Sequence, residues 1–508
     1  MFKVGVKNFR QFQELEPLEI KPITFLVGRN NSGKSTLVKA IILTNNYLNS
    51  NNLEKFSFVN NVLNDTNVVS FGRAKNKANV ETNSIEFNYE LNEFQVTVVV
   101  SGKENDSVVN VLDLIVKDNK RGFLFEFDNR LDMDIGGHMT VFLSSFTTED
   151  KETQSSSNLL TDIEREIYNL KSKISNWTGS KYDKEFLTSV DELQNLQAKE
   201  QSFSYKVSNT VNQFTRTEID IPTDGCHLKD LTGLMLFEVE SGYESIKGKS
   251  EEIQEDEELS FYAGYKDAYD LRKRWTESFN AFTSILNNWT FHFIGATSMK
   301  QHTLLSIKDT NNPLAVAVHD YFQNNVYKYA ECHAFTLKWL KLFEIGDDFK
   351  IEIHEGEAYS VKIKSDGFWV SIADKGMGSI QAFIIILKLA TYGSRSDLKH
   401  TTVLIEEPEL NLHPALQSNL GEMLLEAFES FSLRILVETH SEYLIRNTQL
   451  LVKRYKMEIK PNYNPFSVIY FDKGQKQWKM NYREDGKFIE DFGTGFYNES
   501  ARLAIDLL

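Results

Sequence analysis

Residues 25–36 read Phe-Leu-Val-Gly-Arg-Asn-Asn-Ser-Gly-Lys-Ser-Thr, and this run constrains the fold more than any other part of the chain. From Gly28 to Ser35 it satisfies the pattern G-x-x-x-x-G-K-S/T in full. Before it, Ile23-Thr-Phe-Leu-Val27 reads as a buried strand; after it, Leu37-Val-Lys-Ala-Ile-Ile-Leu43 reads as a helix. Strand, glycine-bounded turn and helix in that order turn backbone N–H groups inward at a helix N-terminus, where phosphate oxygens are held by hydrogen bonds and by the helix dipole. Gly28, Asn30, Asn31, Ser32, Gly33, Lys34, Ser35 and Thr36 are therefore candidate contacts for a nucleotide's phosphates. Lys34 is suited to reach the β- and γ-phosphates as a point charge, and the Ser35 hydroxyl to ligate Mg²⁺.

Two later apolar runs end in residues that would complete such a site. Thr401-Thr-Val-Leu-Ile405 stops at Glu406-Glu407-Pro408-Glu409. An acid at the end of a buried strand can hold Mg²⁺ directly or through water, and the next acid can polarise the attacking water; Glu406 and Glu407 take these positions. Ile435-Leu-Val437 leads into Glu438-Thr439-His440-Ser441, and a histidine at that strand end can touch the γ-phosphate and register its presence.

The rest of the chain reads as strand-containing segments toward either end with a helical stretch between them. Period-2 alternation marks antiparallel strands at Ile85/Phe87/Tyr89, Phe94/Val96/Val98 and Phe123/Phe125/Phe127, whereas the Asn-rich stretch Asn45–Asn67 reads as irregular and exposed. Thr148–Asn158 is polar and Ser-rich, which suggests a boundary. Beyond it Ile163, Ile167, Leu170, Ile174 and Trp177 are spaced 4, 3, 4, 3, and Phe186, Val190 and Leu193 repeat the 4, 3 step. That spacing fits a short helical hairpin with a heptad seam and equally fits two ordinary amphipathic helices. A further helix is expected over about Ala263–Asn288, then a strand at Thr290–Ile294, further strands from about 349, an apolar helix after Ser379, and a closing hairpin, Ser467–Phe471 with Gln477–Met480. The net charge of −16 argues against a generally nucleic-acid-binding surface but leaves room for a local basic strip. The two cysteines, Cys226 and Cys332, form no motif and read as reduced thiols of a cytosolic protein. No signal peptide is read at the N-terminus, and the longest apolar run, Ala382–Leu387, is too short to span a membrane.

Gly28–Ser35, Ile405-Glu-Glu-Pro-Glu-Leu-Asn-Leu-His-Pro414 and Glu438-Thr-His-Ser441 together resemble the head of the ABC-type ATPases. The nearest likeness is to the branch that holds SMC-like repair ATPases and the OLD-like ATPases of bacterial anti-phage systems. The resemblance covers residues 1 to about 150 and 290–471 and is carried by those three motifs. It implies an α/β P-loop ABC-type ATPase head, a mixed sheet plus an antiparallel β part, with a helical arm inserted. The implied divisions are 1–150 for the first part of the head, 151–290 for the arm, 291–471 for the second part, and 472–508 for a tail packed on the head. It also implies ATP and Mg²⁺ as cofactors, and a homodimer in which ATP lies between the phosphate loop of one head and a signature motif of the other. Asp374-Lys-Gly-Met-Gly-Ser-Ile-Gln381 occupies the signature position, although it departs from the transporter order Ser-Gly-Gly-Gln; Gly378 and Ser379 are its candidates for contact with phosphate. Asn411 and His413 fall on the family's D-loop, Ser70-Phe-Gly-Arg73 is the nearest match to its Q-loop, and no catalytic arginine is assigned, Lys300 being the nearest base after the 290s strand.

OLD nucleases carry a metal-dependent nuclease after the ATPase. The residues following His440 hold no Asp-x-Asp pair and no His/Asn metal cluster. The plan instead resembles the stand-alone ATPase subunits of Septu and retron-linked defence systems, which work with a separately encoded HNH nuclease. The expectation is thus a cytoplasmic, Mg²⁺-dependent ATPase, catalytic through Lys34, Glu407 and His440, that regulates such a nuclease as a dimer or higher oligomer. The main alternative is an SMC-like DNA-maintenance ATPase, so DNA stays open as a partner; a scaffold gated by nucleotide with negligible turnover is a third.

Overall fold

The computed structural model describes residues 2–59, 63, 68–79, 82–128, 138–145, 217–222, 274–296, 302–395, 400–454, 464–493 and 496. The heptad-like residues Ile163–Leu193, Cys226 and Lys300 lie outside the described residues.

A six-stranded sheet forms the centre. Its strands are β3 (Ile23–Gly28), β11 (Trp289–Ile294), β16 (His400–Glu406), β17 (Arg434–Glu438), β18 (Phe466–Phe471) and β19 (Gln477–Met480), in the order β11-β16-β17-β3-β18-β19. All neighbours are parallel except β18 and β19, which form the expected closing hairpin. The apolar runs read from sequence are apolar because this sheet is covered on both faces. Leu26, Leu404, Leu436, Ile469 and Phe471 point into one core; Phe25, Val27, Val403, Ile405, Ile435 and Val437 point into the other. The period-2 pleat thus divides each strand between two cores.

The first core is closed by α1 (Lys34–Leu48) and an antiparallel sheet. That sheet contains β1 (Phe2–Phe9), β2 (Phe12–Glu19), β4 (Lys55–Ser57), β5 (Ile85–Leu91), β6 (Phe94–Ser101), β7 (Val108–Asp118), β8 (Phe123–Asp128), β9 (His138–Ser145) and β10 (Thr217–Pro222). Its order is β10-β9-β8-β7-β6-β5-β1-β2, with β4 on β7. The alternating residues at 85–89, 94–98 and 123–127 are its inward face, as expected. The helix over residues 274–288, here α2, lies on this sheet. Phe279 packs on Phe125 with ring centroids 5.2 Å apart and Phe282 on Phe94 at 5.3 Å. Ser278 donates a short hydrogen bond to the buried Asp118 carboxylate, which Arg121 also pairs at 3.0 Å. Both β10 and α2 fall within the 151–290 stretch, and both belong to this layer.

The Asn45–Asn67 expectation needs correction. Helix α1 runs to Leu48; Tyr47, Leu53, Phe56 and Phe58 are buried, and the Tyr47 hydroxyl donates to the Leu53 carbonyl at 2.8 Å. The asparagines are polar punctuation between aromatic anchors, and the anchors decide the placement.

The second core is covered by α3 (Pro313–Gln323), α4 (Ala330–Leu342), α5 (Met377–Gly393), α6 (Asn419–Phe431) and α7 (Glu442–Arg454). A small sheet of β12 (Leu305–Ser306), β13 (Asp348–His354), β14 (Ala358–Ser365) and β15 (Phe368–Ser371) flanks them. Helix α5 is buried on nearly every side, which accounts for its unbroken apolar run; among the described residues no helix is long and apolar enough to cross a membrane. Cys332 is a buried free thiol whose pKa burial raises to about 11.

Candidate nucleotide site

The strand order builds the site. Because β17 lies between β3 and β16, the C-terminal ends of three neighbouring parallel strands deliver the phosphate loop, Glu438 and Glu406 side by side. The crevice beyond such strand ends is where open α/β sheets bind ligands.

The loop itself has the geometry its glycines require. Gly28 has φ +128°, and a Cβ there would collide with the carbonyl of Phe471 on β18. Gly33 caps α1 with φ +117°, and a Cβ there would strike the Phe12 ring. Asn30 and Asn31 are exposed on the rim, Asn31 in the left-handed region at φ 60°. Ser32 is turned inward, its hydroxyl donating to the Arg29 carbonyl at 2.7 Å. Lys34 is 3% exposed; its Nζ donates to the carbonyls of Arg29 at 2.8 Å and Gly28 at 3.2 Å, within the ring of the loop. Burial lowers its pKa, and the carboxylates of Glu438, Glu407 and Glu409 act in the opposite sense. Thr36 is buried and faces Gln11 of the β1–β2 hairpin at 3.4 Å, so only its backbone is free for phosphate.

Two residues not singled out from sequence join this group. Glu438 ends β17 and accepts the Ser35 hydroxyl proton at 2.8 Å, while its second oxygen is buried without a partner. Burial raises its pKa. Lys39, on α1 one turn beyond Ser35, is half-buried and interacts with Glu406 and Glu438. Glu438 was visible in the strand-end run, but nothing local says which strand that run would adjoin.

Glu406 ends β16 directly beside Glu438, and its pKa is raised to about 7 by burial first and by that neighbouring carboxylate second. Glu407 takes a left-handed φ of 43°, with its N–H donating to the Glu438 carbonyl at 2.8 Å. His440 Nε2 lies 3.9 Å from Glu407 Oε1. Burial and then the Lys34 charge lower the His440 pKa to about 4, so the imidazole is neutral at pH 7 and can donate one N–H. Lys34, Ser35, Glu406, Glu407 and His440 are therefore brought together.

The donor set suits Mg²⁺. Among the described residues no group of three or more His, Cys, Asp or Glu could hold a metal alone. Mg²⁺ characteristically uses one or two carboxylates plus nucleotide phosphates and water, here with room for a hydroxyl. The Ser35 hydroxyl, Glu406 and the unpartnered oxygen of Glu438 would supply the protein oxygens.

The signature candidates sit at the start of α5. Gly376 precedes the helix in open space, Ser379 is partly exposed, and Gly378 is buried, where a Cβ would strike the Asn411 carbonyl. The missing side chain at Gly378 thus has a reason within its own chain. Asn411 and His413 are exposed, and the His413 Nδ1 accepts the Ala415 N–H at 3.3 Å. Ser70–Arg73 opens into a single helical turn, Phe71–Ala74, whose Ala74 carbonyl accepts the Arg10 N–H.

Among solved structures the chain is similar to the Smc head domain with a coiled coil and joint from Pyrococcus yayanosii, at 10% identity, TM-score 0.35, covering 96% of this chain and 98% of that one. It is similar to the Pyrococcus furiosus Smc head with an extended coiled coil bound to the C-terminal domain of ScpA, at 10% identity, TM-score 0.36 and full coverage of both. A third is the SMC head domain from Thermotoga maritima, at 10% identity, TM-score 0.30, covering 92% and 93%. These superpositions are loose, and the fold rests on the strand order above. No curated protein matches the chain. The family model described as AAA ATPase domain matches residues 1–445, most of the 508-residue chain, and the chain therefore belongs to that family and is an ATP-hydrolysing enzyme.

Proposed function

We propose that two copies of this chain close over ATP, each contributing its phosphate loop to one nucleotide and the start of α5 to the other, and that hydrolysis reopens them. The convergence of Lys34, Ser35, Glu406, Glu407 and His440 at three adjacent strand ends is the observation that carries the reading. Lys34 neutralises developing phosphate charge, Glu407 orients and polarises water, and His440 reads the γ-phosphate; Ser35 and Glu406 would hold Mg²⁺, which would supply further charge neutralisation when bound. Gly376, Gly378 and Ser379 would offer backbone N–H groups at the N-terminus of a 17-residue helix to the partner's nucleotide.

Glu407→Gln tests this directly. It should keep ATP affinity, lower turnover roughly 10²- to 10⁴-fold, and accumulate a dimer in ATP and Mg²⁺ by light scattering. A variant that stays monomeric at saturating ATP would refute the closure.

The further role we propose is regulation of a separate nuclease in anti-phage defence, in the cytoplasm, with the ATP state as the signal. It rests on the resemblance to stand-alone defence ATPases. The competing reading is an SMC-like DNA-maintenance ATPase, supported by the same head motifs. Turnover stimulated by DNA and falling steeply with salt would favour it. DNA or tRNA cleavage by the purified chain alone in Mg²⁺ or Mn²⁺, spared by Lys34→Ala, would refute the regulatory role.

A further inference from the structure

Between β17 and α7 the chain has left the ladder of the sheet, and each main-chain N–H there needs an acceptor. Thr439 N–H donates to the Leu26 carbonyl on β3 at 3.1 Å, and Ser441 N–H to the Thr439 hydroxyl at 3.0 Å. His440 N–H, between them, donates to Glu409 Oε1 at 2.6 Å. Glu409 comes from a different element, the loop that follows β16, and is 9% exposed. Its other oxygen is buried without a well-formed hydrogen bond; burial raises the carboxyl's pKa, and the His440 N–H and the Thr439 hydroxyl act in the opposite sense. A carboxylate placed so deeply for one backbone N–H is costly unless that bond is needed.

The same loop is fixed at its other end. The Leu410 N–H donates to the Glu407 carbonyl and the Leu412 N–H to the Glu409 carbonyl, each at 3.0 Å. Gln417 Nε2 donates to the Leu412 carbonyl at 3.0 Å, and Gln417 Oε1 accepts a hydrogen bond from the Ser441 hydroxyl at 2.6 Å. Asn411, at φ 62°, presents its carbonyl to Gly378 at the start of α5.

From this arrangement we infer that Glu409 is a positioning residue: it sets the backbone of His440 and ties it to the 407–412 loop and thereby to the first turn of α5. The inference rests on the proposed ATP-sensing role of His440 and extends it. A shift of His440 on loss of the γ-phosphate pulls, through Glu409, on the loop that abuts Gly378. The end of the chain that serves the partner's nucleotide then senses the state of its own.

Two variants separate this from a generic structural role. Glu409→Gln retains a carbonyl oxygen at the same reach, whereas Glu409→Ala removes the acceptor. Amide hydrogen exchange at His440 in the nucleotide-free protein should accelerate tenfold or more in Glu409→Ala and stay near wild type in Glu409→Gln; unchanged exchange in Glu409→Ala overturns the inference. In turnover, Glu409→Ala should lower kcat roughly 10- to 100-fold, with KM for ATP within about threefold. Combined with His440→Ala it should add nothing to the loss caused by His440→Ala alone, and a multiplicative loss overturns the coupling. Faster exchange in Glu409→Ala together with wild-type turnover in His440→Ala would keep the backbone anchor and reject the sensing role of His440 instead.

Discussion

Lys34→Met deletes one ammonium and retains most of the side-chain stem, so its consequences can be assigned to charge. This ammonium is 3% exposed and occupied with the carbonyls of Arg29 and Gly28. Its lowered pKa means that desolvation outweighs the attraction of Glu438, Glu407 and Glu409. A base whose folded pKa lies below its unfolded one costs stability at neutral pH, so removing the charge should leave the free protein's Tm unchanged or slightly raised. Binding behaves in the opposite way. A hydrogen bond to an ionised partner contributes about 1.5–3 kcal/mol, and about 1.4 kcal/mol is one decade in affinity. The loss of the phosphate contact should therefore weaken ATP binding roughly 10- to 100-fold. The lower half of that range is favoured, because wild type must first surrender its two carbonyl contacts. Glu438 also loses a nearby cation, so its carboxylate becomes harder to ionise beside Ser35. Calorimetric titration with a non-hydrolysable ATP analogue, alongside thermal unfolding without nucleotide, measures both quantities. Affinity within twofold of wild type, or a Tm that falls in parallel with affinity, would refute the assignment.

Gly28→Ala should cost about 1–3 kcal/mol of stability for its left-handed φ alone, with a further loss from contact with the Phe471 carbonyl. Gly376→Ala, at φ −62° in open space, should stay within about 1 kcal/mol of wild type; urea unfolding distinguishes the two. Glu406 has a folded pKa of about 7 against an ordinary 4.5, so the folded protein binds more protons between those values, and nucleotide-free stability should fall as pH rises through that window. Mg²⁺ requires the ionised carboxylate, so the Tm gap between the Mg²⁺–ATP-loaded and free forms of Glu407→Gln should widen over the same window; a constant gap would count against Glu406 as ligand. Phe279→Ala should cost about 3–5 kcal/mol, because its fully buried ring packs on Phe125 and Phe282.

Where an interaction is local, its pattern was legible. The phosphate loop declared itself because a tight turn before a helix needs glycine at fixed spacing, and Gly28 and Gly33 do adopt left-handed backbone. The alternation at Ile85–Tyr89 and Phe94–Val98 gave two strands with the correct inward face. The Asn-rich stretch misled because asparagine frequency says little about the aromatics between, and Phe56 is held by β7 and by the Phe87 ring at 5.2 Å. Glycine at 378 suggested phosphate contact, and a Cβ added there would strike the Asn411 carbonyl of its own chain.

By itself the sequence determined that a phosphate-holding turn, two acid-tipped apolar strands and a strand-end histidine exist, because spacing and composition act over a few residues. Only the tertiary structure decided that β17 enters between β3 and β16. That order is a matter of pairings and of two cores, one on each face of the sheet, between residues hundreds of positions apart. It places Glu438 on Ser35, Lys39 toward two carboxylates, and Glu409 under the backbone of His440.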